Sequence, residues 1–188
     1  MAQPSPSQVA ARRKEEPDIF GLNMPLDRFY HRGHTWAKPE TDGTITIGLD
    51  DLGARLIGKP DEIALPAVGT QVRANGTGWR VKKQRNDLRV LSPVDGEVIE
   101  TGGPDKGWYL RVKPNGGADD NMRHLLRGAE IRPWIMREIE RLQLALAPEG
   151  IGMSLAAGGV PVEDLSQGYP ERLGHGVGRY ALGGVGVM

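Results

Sequence analysis

Residues 92–98 read SPVDGEV, a stretch in which turn residues separate short β-like runs. One run, at 90–91, precedes it, and another, at 97–100, overlaps its end. Working outward, further runs of this kind lie at 44–47, 62–65, 72–74, 80–83 and 108–112. Many short strands separated by turn signals are typical of a barrel or a sandwich. The pattern therefore predicts a mainly β domain.

The composition agrees with a turn-rich β domain, because Gly (27) and Pro (14) are plentiful and aromatic residues make up only 5% of the 188 residues. The formal net charge is zero, so no overall field favours nucleic acid or anionic lipid. The absence of cysteine excludes disulfides, thiolate metal sites and thiol catalysis. No apolar run is long enough to span a membrane. We expect a cytoplasmic protein that is not an enzyme.

The chain divides into four parts by composition. Residues 1–25 are rich in Pro, Ser and charge, and we expect a flexible N-terminal arm. The β pattern occupies 26–132, an amphipathic helix is expected at 133–147, and a Gly-rich tail at 148–188 is expected to be disordered or bound to a partner.

Helical signals are few. Residues 49–57 are expected to form one short helix, and Asp120 is the expected N-cap of another that ends at Gly128. The helix at 133–147 has apolar residues on one face, which are Trp134, Ile135, Ile139, Leu142 and Leu146. This face either packs on its own domain or binds a partner, and the second reading includes self-association through the helix and the tail.

Six segments, in order, resemble the H-protein family of the glycine cleavage system, whose members are lipoyl carriers. They are LDRFY at 26–30 with HTW at 34–36, TIGLDDLGA at 46–54, LIG at 56–58, LPAVG at 65–69, SPVDGEV at 92–98 and GWYLRVKP at 107–114. The resemblance covers roughly residues 26–130. It implies a flattened barrel-sandwich hybrid of the lipoyl-domain type, with C-terminal helices.

The resemblance also implies where a lipoyl group would be attached. In the family, the lipoyl lysine lies at the tip of a tight hairpin, sixteen residues after the glycine of LPxxG and eight before the proline of SPV. Here both counts, from Gly69 and from Pro93, reach Arg85. Arginine stays protonated and is not a practical acyl acceptor. Lys82 or Lys83 would be the alternative lipoylation site.

A second departure from the family lies at residues 99–106. The segment between GEV and GW is usually longer in the family and helps to shelter the lipoyl arm. Both departures support a loss of the carrier role.

Three functions remain open. The first is a non-catalytic, non-lipoylated accessory or scaffold subunit of a larger complex, with a redox complex as one setting. The alternative is a lipoate-carrying H-protein of glycine cleavage or a related pathway, modified at Lys82 or Lys83. The second alternative is a free-standing regulatory binding module. We expect protein partners and no nucleic acid, no metal and no catalytic residues. A cofactor, lipoate, is expected only under the first alternative.

Other patterns favour ordinary structural roles. His31 and His34 could be a metal pair, but no further ligands cluster with them, and packing is the preferred reading. Asp50 and Asp51 are expected to cap a helix start rather than to perform acid–base chemistry. The GVGRYA stretch at 176–181 formally fits a dinucleotide motif, but it follows no strand.

Overall fold

The computed structural model describes residues 18–146, and the remaining residues lie outside this description. The strands are β1 (Asp18–Ile19), β2 (Leu22–Asn23), β3 (Phe29–Tyr30), β4 (Thr35–Pro39), β5 (Ile45–Leu49), β6 (Glu62–Ala64), β7 (Gln71–Val72), β8 (Thr77–Lys83), β9 (Asn86–Leu91), β10 (Gly96–Gly103) and β11 (Trp108–Pro114). The helices are α1 (Asp51–Ile57), α2 (Ala118–Met122) and α3 (Ile131–Leu146), with 3₁₀ turns at Pro104–Lys106 and Gly128–Glu130.

The strands form two main sheets around one hydrophobic core. A six-stranded antiparallel sheet has the order β3-β4-β5-β11-β10-β7, and a three-stranded antiparallel sheet has the order β6-β8-β9. Trp79 of β8 stacks on Tyr109 of β11 with ring centroids 4.7 Å apart, so one aromatic pair joins the two sheets. This arrangement confirms the mainly β class with C-terminal helices, and a strand occupies each run that the sequence pattern indicated.

Two turns form for local reasons. Between β4 and β5 the Oδ1 atom of Asp42 accepts a hydrogen bond from the backbone N–H of Thr44 at 2.9 Å, and Gly43 takes a φ of 83°. At the start of α1 the Oδ1 atom of Asp50 accepts from the N–H of Gly53 at 2.7 Å. The expected helix start at the Asp50–Asp51 pair is therefore confirmed.

The expected cap of the second short helix was wrong. Gly117, not Asp120, occupies the N-cap position, and Asp120 lies in the first turn, where a carboxylate favours the helix dipole. The helix also ends at Met122, well before Gly128. It stops because Leu126 exchanges backbone hydrogen bonds with Tyr30, at 2.8 and 2.7 Å, and so adds to the sheet edge instead of continuing a helix.

The expectation of a flexible arm over residues 1–25 was wrong for residues 18–25. Strands β1 and β2 form a small hairpin whose Ile19, Leu22 and following Met24 are buried in the core. Asp51 of α1 accepts a hydrogen bond from the Asn23 N–H at 2.8 Å and ties the hairpin to the domain. Three buried positions are too few to give a readable period, so the sequence pattern missed them. Residues 1–17 and the tail at 148–188 lie outside the described residues.

No helix within residues 18–146 is long and apolar enough to cross a membrane.

Replacing Leu22 by Ala tests whether this hairpin belongs to the core. Leu22 is 1% exposed, and truncation of a buried leucine costs about 2–5 kcal/mol of unfolding free energy. The matched control is Leu26→Ala, because Leu26 is 59% exposed and should lose about 0.5 kcal/mol or less. Guanidinium denaturation measures both. Equal losses of unfolding free energy in the two variants would show that residues 18–25 are a loose arm and not part of the core.

Candidate functional site

The β8–β9 hairpin has a two-residue tip made of Gln84 and Arg85. Its closing pair is Lys83 opposite Asn86. Gln84 has a φ of 54°, in the left-handed region, and its backbone N–H donates to Oδ2 of Asp61 at 2.5 Å. This bond holds the tip against the segment that leads into β6.

Arg85 lies at the outermost point of this hairpin. Its side chain is exposed, and it forms no hydrogen bond or ion pair within residues 18–146. The position that the sequence count assigned to the attachment residue is therefore a hairpin tip, as the family resemblance implied. A guanidinium at this point presents a fixed positive charge to whatever approaches the hairpin.

The two neighbouring lysines lie on strand β8 and not at the tip. The Nζ atom of Lys82 forms a salt bridge with Oε2 of Glu62 at 3.2 Å. The Nζ atom of Lys83 donates to the carbonyl of Ile57 at 2.8 Å, and Lys83 is half-buried. Each amine therefore has a partner within its own chain.

The charge of the hairpin is less one-sided than the sequence alone indicated. In the sequence, four basic residues lie close together around the tip, namely Lys82, Lys83, Arg85 and Arg89. Strand pairing brings carboxylates to the same surface, because Asp87 binds Arg80 at 2.8 Å and Glu62 binds Lys82. Arg85 and Arg89 have no carboxylate partner within residues 18–146, and the Nε of Arg89 donates to the neutral hydroxyl of Thr77 at 2.7 Å.

A cleft of about 360 Å³ lies beside the C-terminal end of α1. Its lining includes Arg28, Tyr30, Trp36, Ile57, Gly58 and Tyr109. The Ile57 carbonyl accepts the hydrogen bond from Lys83, so the amine of Lys83 lies next to a residue that lines this cleft.

The polar groups of the cleft are largely occupied by internal bonds. The hydroxyl of Tyr30 donates to the Pro25 carbonyl, and the indole N–H of Trp36 donates to the Leu49 carbonyl, each at 2.7 Å. The guanidinium of Arg28 lies 4.1 Å from the centre of the Trp36 ring. Burial raises the pKa of Tyr30, which stays a neutral phenol near neutral pH. The lining also includes the carboxylates of Asp50 and Asp51, so the cleft has charged as well as aromatic walls.

Residues 99–106 reach the cleft through Pro104. They form the end of β10 and the 3₁₀ turn Pro104–Lys106, and Gly107, which follows them, also lines the cavity. Sequence reasoning identified the segment but not the cleft. The cleft depends on how α1, β3 and this turn come together, for which no single motif is a signal.

The apolar face of α3 is not an exposed partner-binding surface, and that interpretation of the sequence was wrong. Trp134, Ile135, Ile139 and Leu142 are all 8% exposed or less and belong to the core of their own domain. They are buried because the helix covers the end of the barrel beside β3 and the β3–β4 turn. The side chain of Leu146 lies outside the described residues.

The two histidines of the sequence motif have separate partners. The Nε2 atom of His31 lies 2.7 Å from the Asn75 side-chain oxygen, and Nδ1 accepts from the N–H of Gly33, so His31 is a neutral donor. Burial lowers the pKa of His31. Within residues 18–146 no group of three or more His, Cys, Asp and Glu residues is arranged to hold a metal ion.

His34 is fully buried between two carboxylates. Its Nδ1 atom lies 2.9 Å from Oδ2 of Asp50, and its Nε2 atom lies 3.7 Å from Oε2 of Glu138, an ion pair without a hydrogen bond. The ring also stacks on Trp134 at 5.3 Å. Burial by itself lowers the pKa of His34, but the two carboxylates outweigh it and raise the pKa to about 9. His34 is therefore an imidazolium at neutral pH.

Comparison of the sequence with known proteins identifies the family of this chain. The family model described as glycine cleavage H-protein matches residues 28–105. The glycine cleavage system H protein of Teredinibacter turnerae is 34% identical over 99 residues, which cover 46% of this chain and 76% of the relative. The chain belongs to the glycine cleavage H-protein family. The H protein of Neisseria gonorrhoeae is 31% identical over 117 residues, 55% of this chain and 88% of the relative.

A solved structure is also similar in outline. The crystal structure of a glycine cleavage system H protein from Mycobacterium marinum aligns with a TM-score of 0.49 and 20% identity, over 61% of this chain and 98% of that chain.

Membership of the H-protein family confirms the resemblance drawn from the six segments. H-proteins are carrier proteins rather than catalysts, so this chain is classed with non-enzymes.

The pH dependence of stability tests the charged state of His34. A folded pKa raised from 6.5 to about 9 stabilises the native state fully below pH 6.5, and that stabilisation is lost as pH rises towards 9. We expect the free energy of unfolding to fall by about 2–4 kcal/mol across this range.

The control for this titration is a pair of variants. His34→Gln should flatten the fall in unfolding free energy, whereas His124→Gln, at an exposed histidine, should leave it unchanged. Urea denaturation at a series of pH values gives the curve. A wild-type stability that is flat or rising between pH 6.5 and 9 would contradict a buried imidazolium.

Proposed function

We propose that this H-protein family member is a cytoplasmic, non-lipoylated accessory or scaffold subunit of a larger protein complex, and that it binds its partners as a domain without carrying a group between them. A multi-subunit redox enzyme is the setting we favour. The observation that carries the proposal is Arg85, exposed at the tip of the two-residue turn.

The chemistry of attachment requires an amine that can lose its proton and attack an activated acyl group. Lysine meets this need because its pKa can fall and because it is a primary amine at the end of a flexible stem. A guanidinium remains protonated and spreads its charge over several nitrogens, so Arg85 is a poor nucleophile. The tip of this hairpin therefore supports recognition and not acylation.

The surroundings of the tip support the same proposal. Lys82 and Lys83 each have an internal partner, and neither lies in the turn itself. An enzyme that modifies a lysine at a hairpin tip would meet Arg85 in its place, together with the guanidinium of Arg89 on the next strand. Positive charge at the tip would disfavour binding of a modifying enzyme whose surface is built for a different tip.

A second candidate function is that of a lipoyl carrier, and two observations favour it. The relatives are named glycine cleavage system H proteins, and the H-protein family carries lipoate. The amine of Lys83 donates to the carbonyl of Ile57, a lining residue of the cleft, so a group attached there would start next to that residue. Between the two lysines, this geometry favours Lys83 over Lys82.

Intact-mass measurement of the protein purified from its native host separates these functions. We expect the unmodified mass. A mass increment of one lipoyl group, mapped to Lys82 or Lys83 by peptide sequencing, would replace the proposal by the carrier function. Digestion after glutamate keeps residues 63–97 in one peptide, and fragment ions of that peptide that break between Lys82 and Lys83 locate any adduct.

A lipoylation assay with variants adds an internal comparison. We expect no transfer of lipoate to the wild-type protein by a lipoate–protein ligase under conditions that fully modify a conventional H protein. Arg85→Lys should gain modification, because it returns an amine to the exposed tip, and Arg85→Gln should not. Transfer to the wild type that disappears in Lys83→Gln would support the carrier alternative.

A further inference from the structure

We propose that the edge of strand β9 pairs with the same strand of a second copy of this chain, about a two-fold axis through Leu88, and so joins two three-stranded sheets into one continuous antiparallel sheet. This inference is independent of whether the protein is lipoylated. It also replaces the self-association through α3 that the sequence left open, since the apolar face of that helix is buried.

Strand β9 is an open edge among the described residues. The small sheet has the order β6-β8-β9, so β9 has a neighbour on one side only. Lys83 and Asn86 close a two-residue turn, and such a closing pair exchanges its backbone hydrogen bonds. Because these bonds alternate along an antiparallel ladder, Asn86 and Leu88 bond inward to β8. The N–H and C=O groups of Asp87 and Arg89 therefore point outward.

The register of this edge is self-complementary. When two copies run antiparallel about Leu88, Asp87 of one copy stands opposite Arg89 of the other, and the same pair recurs on the other side of the axis. These are the residues whose backbone groups point outward, so each pair can exchange both backbone hydrogen bonds. The two Leu88 residues then form the closely spaced, non-hydrogen-bonded pair at the centre.

The charges on the exposed face fit the same pairing. Within one chain, Arg89 stands directly opposite Arg80, a like charge, and its guanidinium bonds only the neutral hydroxyl of Thr77. The one carboxylate on the strand, Asp87, is engaged by Arg80 at 2.8 Å. A second copy places another Asp87 beside Arg89. Cross-strand pairs of opposite charge stabilise a sheet, whereas like charges destabilise it.

Charged edge strands often serve to prevent pairing, and the pattern here differs from that use. An edge strand that is protected against pairing with a second copy carries charges of one sign, a proline or a bulge. Here residues 87 and 89 have opposite signs, and residues 86–91 include no proline. The position on the two-fold axis is Leu88, which is half-buried against the core on the inner face. Association covers the part of Leu88 that remains exposed.

The complementarity favours a second copy over a foreign strand. Any extended segment can form hydrogen bonds with the outward backbone groups. The order Asp-Leu-Arg, however, places opposite charges against each other when it pairs antiparallel with a second copy of itself. The tips at Arg85 then lie at opposite ends of the joint sheet and stay accessible.

Charge reversal at the edge provides the test. Asp87→Arg gives an edge with two basic residues, and Arg89→Asp gives an edge with two acidic residues. Sedimentation equilibrium of the full-length protein should show self-association of the wild type and a dimer affinity reduced by about tenfold or more in each variant, because like charges then face each other. An equimolar mixture of the two variants should recover association, because basic and acidic edges are complementary.

The matched control is Glu62→Lys, which reverses a charge on the same face but on strand β6, away from the proposed interface. It should leave association unchanged.

Hydrogen exchange on the unmodified protein gives a second measurement that needs no variant. The outward amides of Asp87 and Arg89 should become slower to exchange as protein concentration rises, whereas the exposed tip amides should not.

Three results would overturn the proposal. One is a wild-type protein that stays monomeric across the concentration range, which would leave the edge free or covered by another segment. Another is a dimer that neither variant weakens, which would place the interface elsewhere. The third is a mixture of correctly folded variants, checked by circular dichroism, that fails to associate better than either variant alone.

Discussion

The buried imidazolium of His34 is the constraint on which the arrangement of this domain depends. It connects the β3–β4 turn to Asp50 at the start of α1 and to Glu138 on α3, and it stacks on Trp134. The backbone adds to the connection, because the Asp50 N–H donates to the His34 carbonyl at 2.9 Å. Gly53 has to be a glycine at this junction, since a Cβ atom there would lie 2.8 Å from Cβ of His34. One side chain thus fixes two helices on the β core.

The consequence of this constraint reaches the functional surface. Because α1 is anchored at its start by Asp50, its last residue, Ile57, is held where its carbonyl accepts the hydrogen bond from Lys83. The same residue lines the cleft. A buried ion network gives little net stability when complete, but removal of one partner leaves an unpaired charge and is strongly destabilising. The network therefore acts mainly to set the position of α1, and with it the contact between Ile57 and Lys83 next to the tip of the β8–β9 hairpin.

The hairpin then presents two different surfaces. Its tip shows the guanidinium of Arg85, which suits recognition of an anionic group and excludes acylation at that point. Its edge shows the outward backbone groups of β9 with alternating charge at Asp87 and Arg89. A hairpin that carries a group has to move among partners. A hairpin that only binds a partner can have its edge strand paired with a second copy. In this chain an H-protein family member has an arginine, Arg85, at the tip of its β8–β9 hairpin.

The sequence by itself determined the β architecture, the family and the place of Arg85. These depend on local signals, namely turn residues at fixed spacing, the Asp50 cap and motifs such as LPAVG and SPVDGEV, and each acts within a few residues of the chain. The tertiary structure alone decided the rest. Burial of Leu22 and of the α3 face depends on surfaces brought together from distant parts of the chain, and no periodicity tells a face that packs on its own domain from one that binds a partner. The cleft, the partners of Lys82 and Lys83 and the ion pairs of His34 join residues far apart in sequence, so only the folded geometry specifies them.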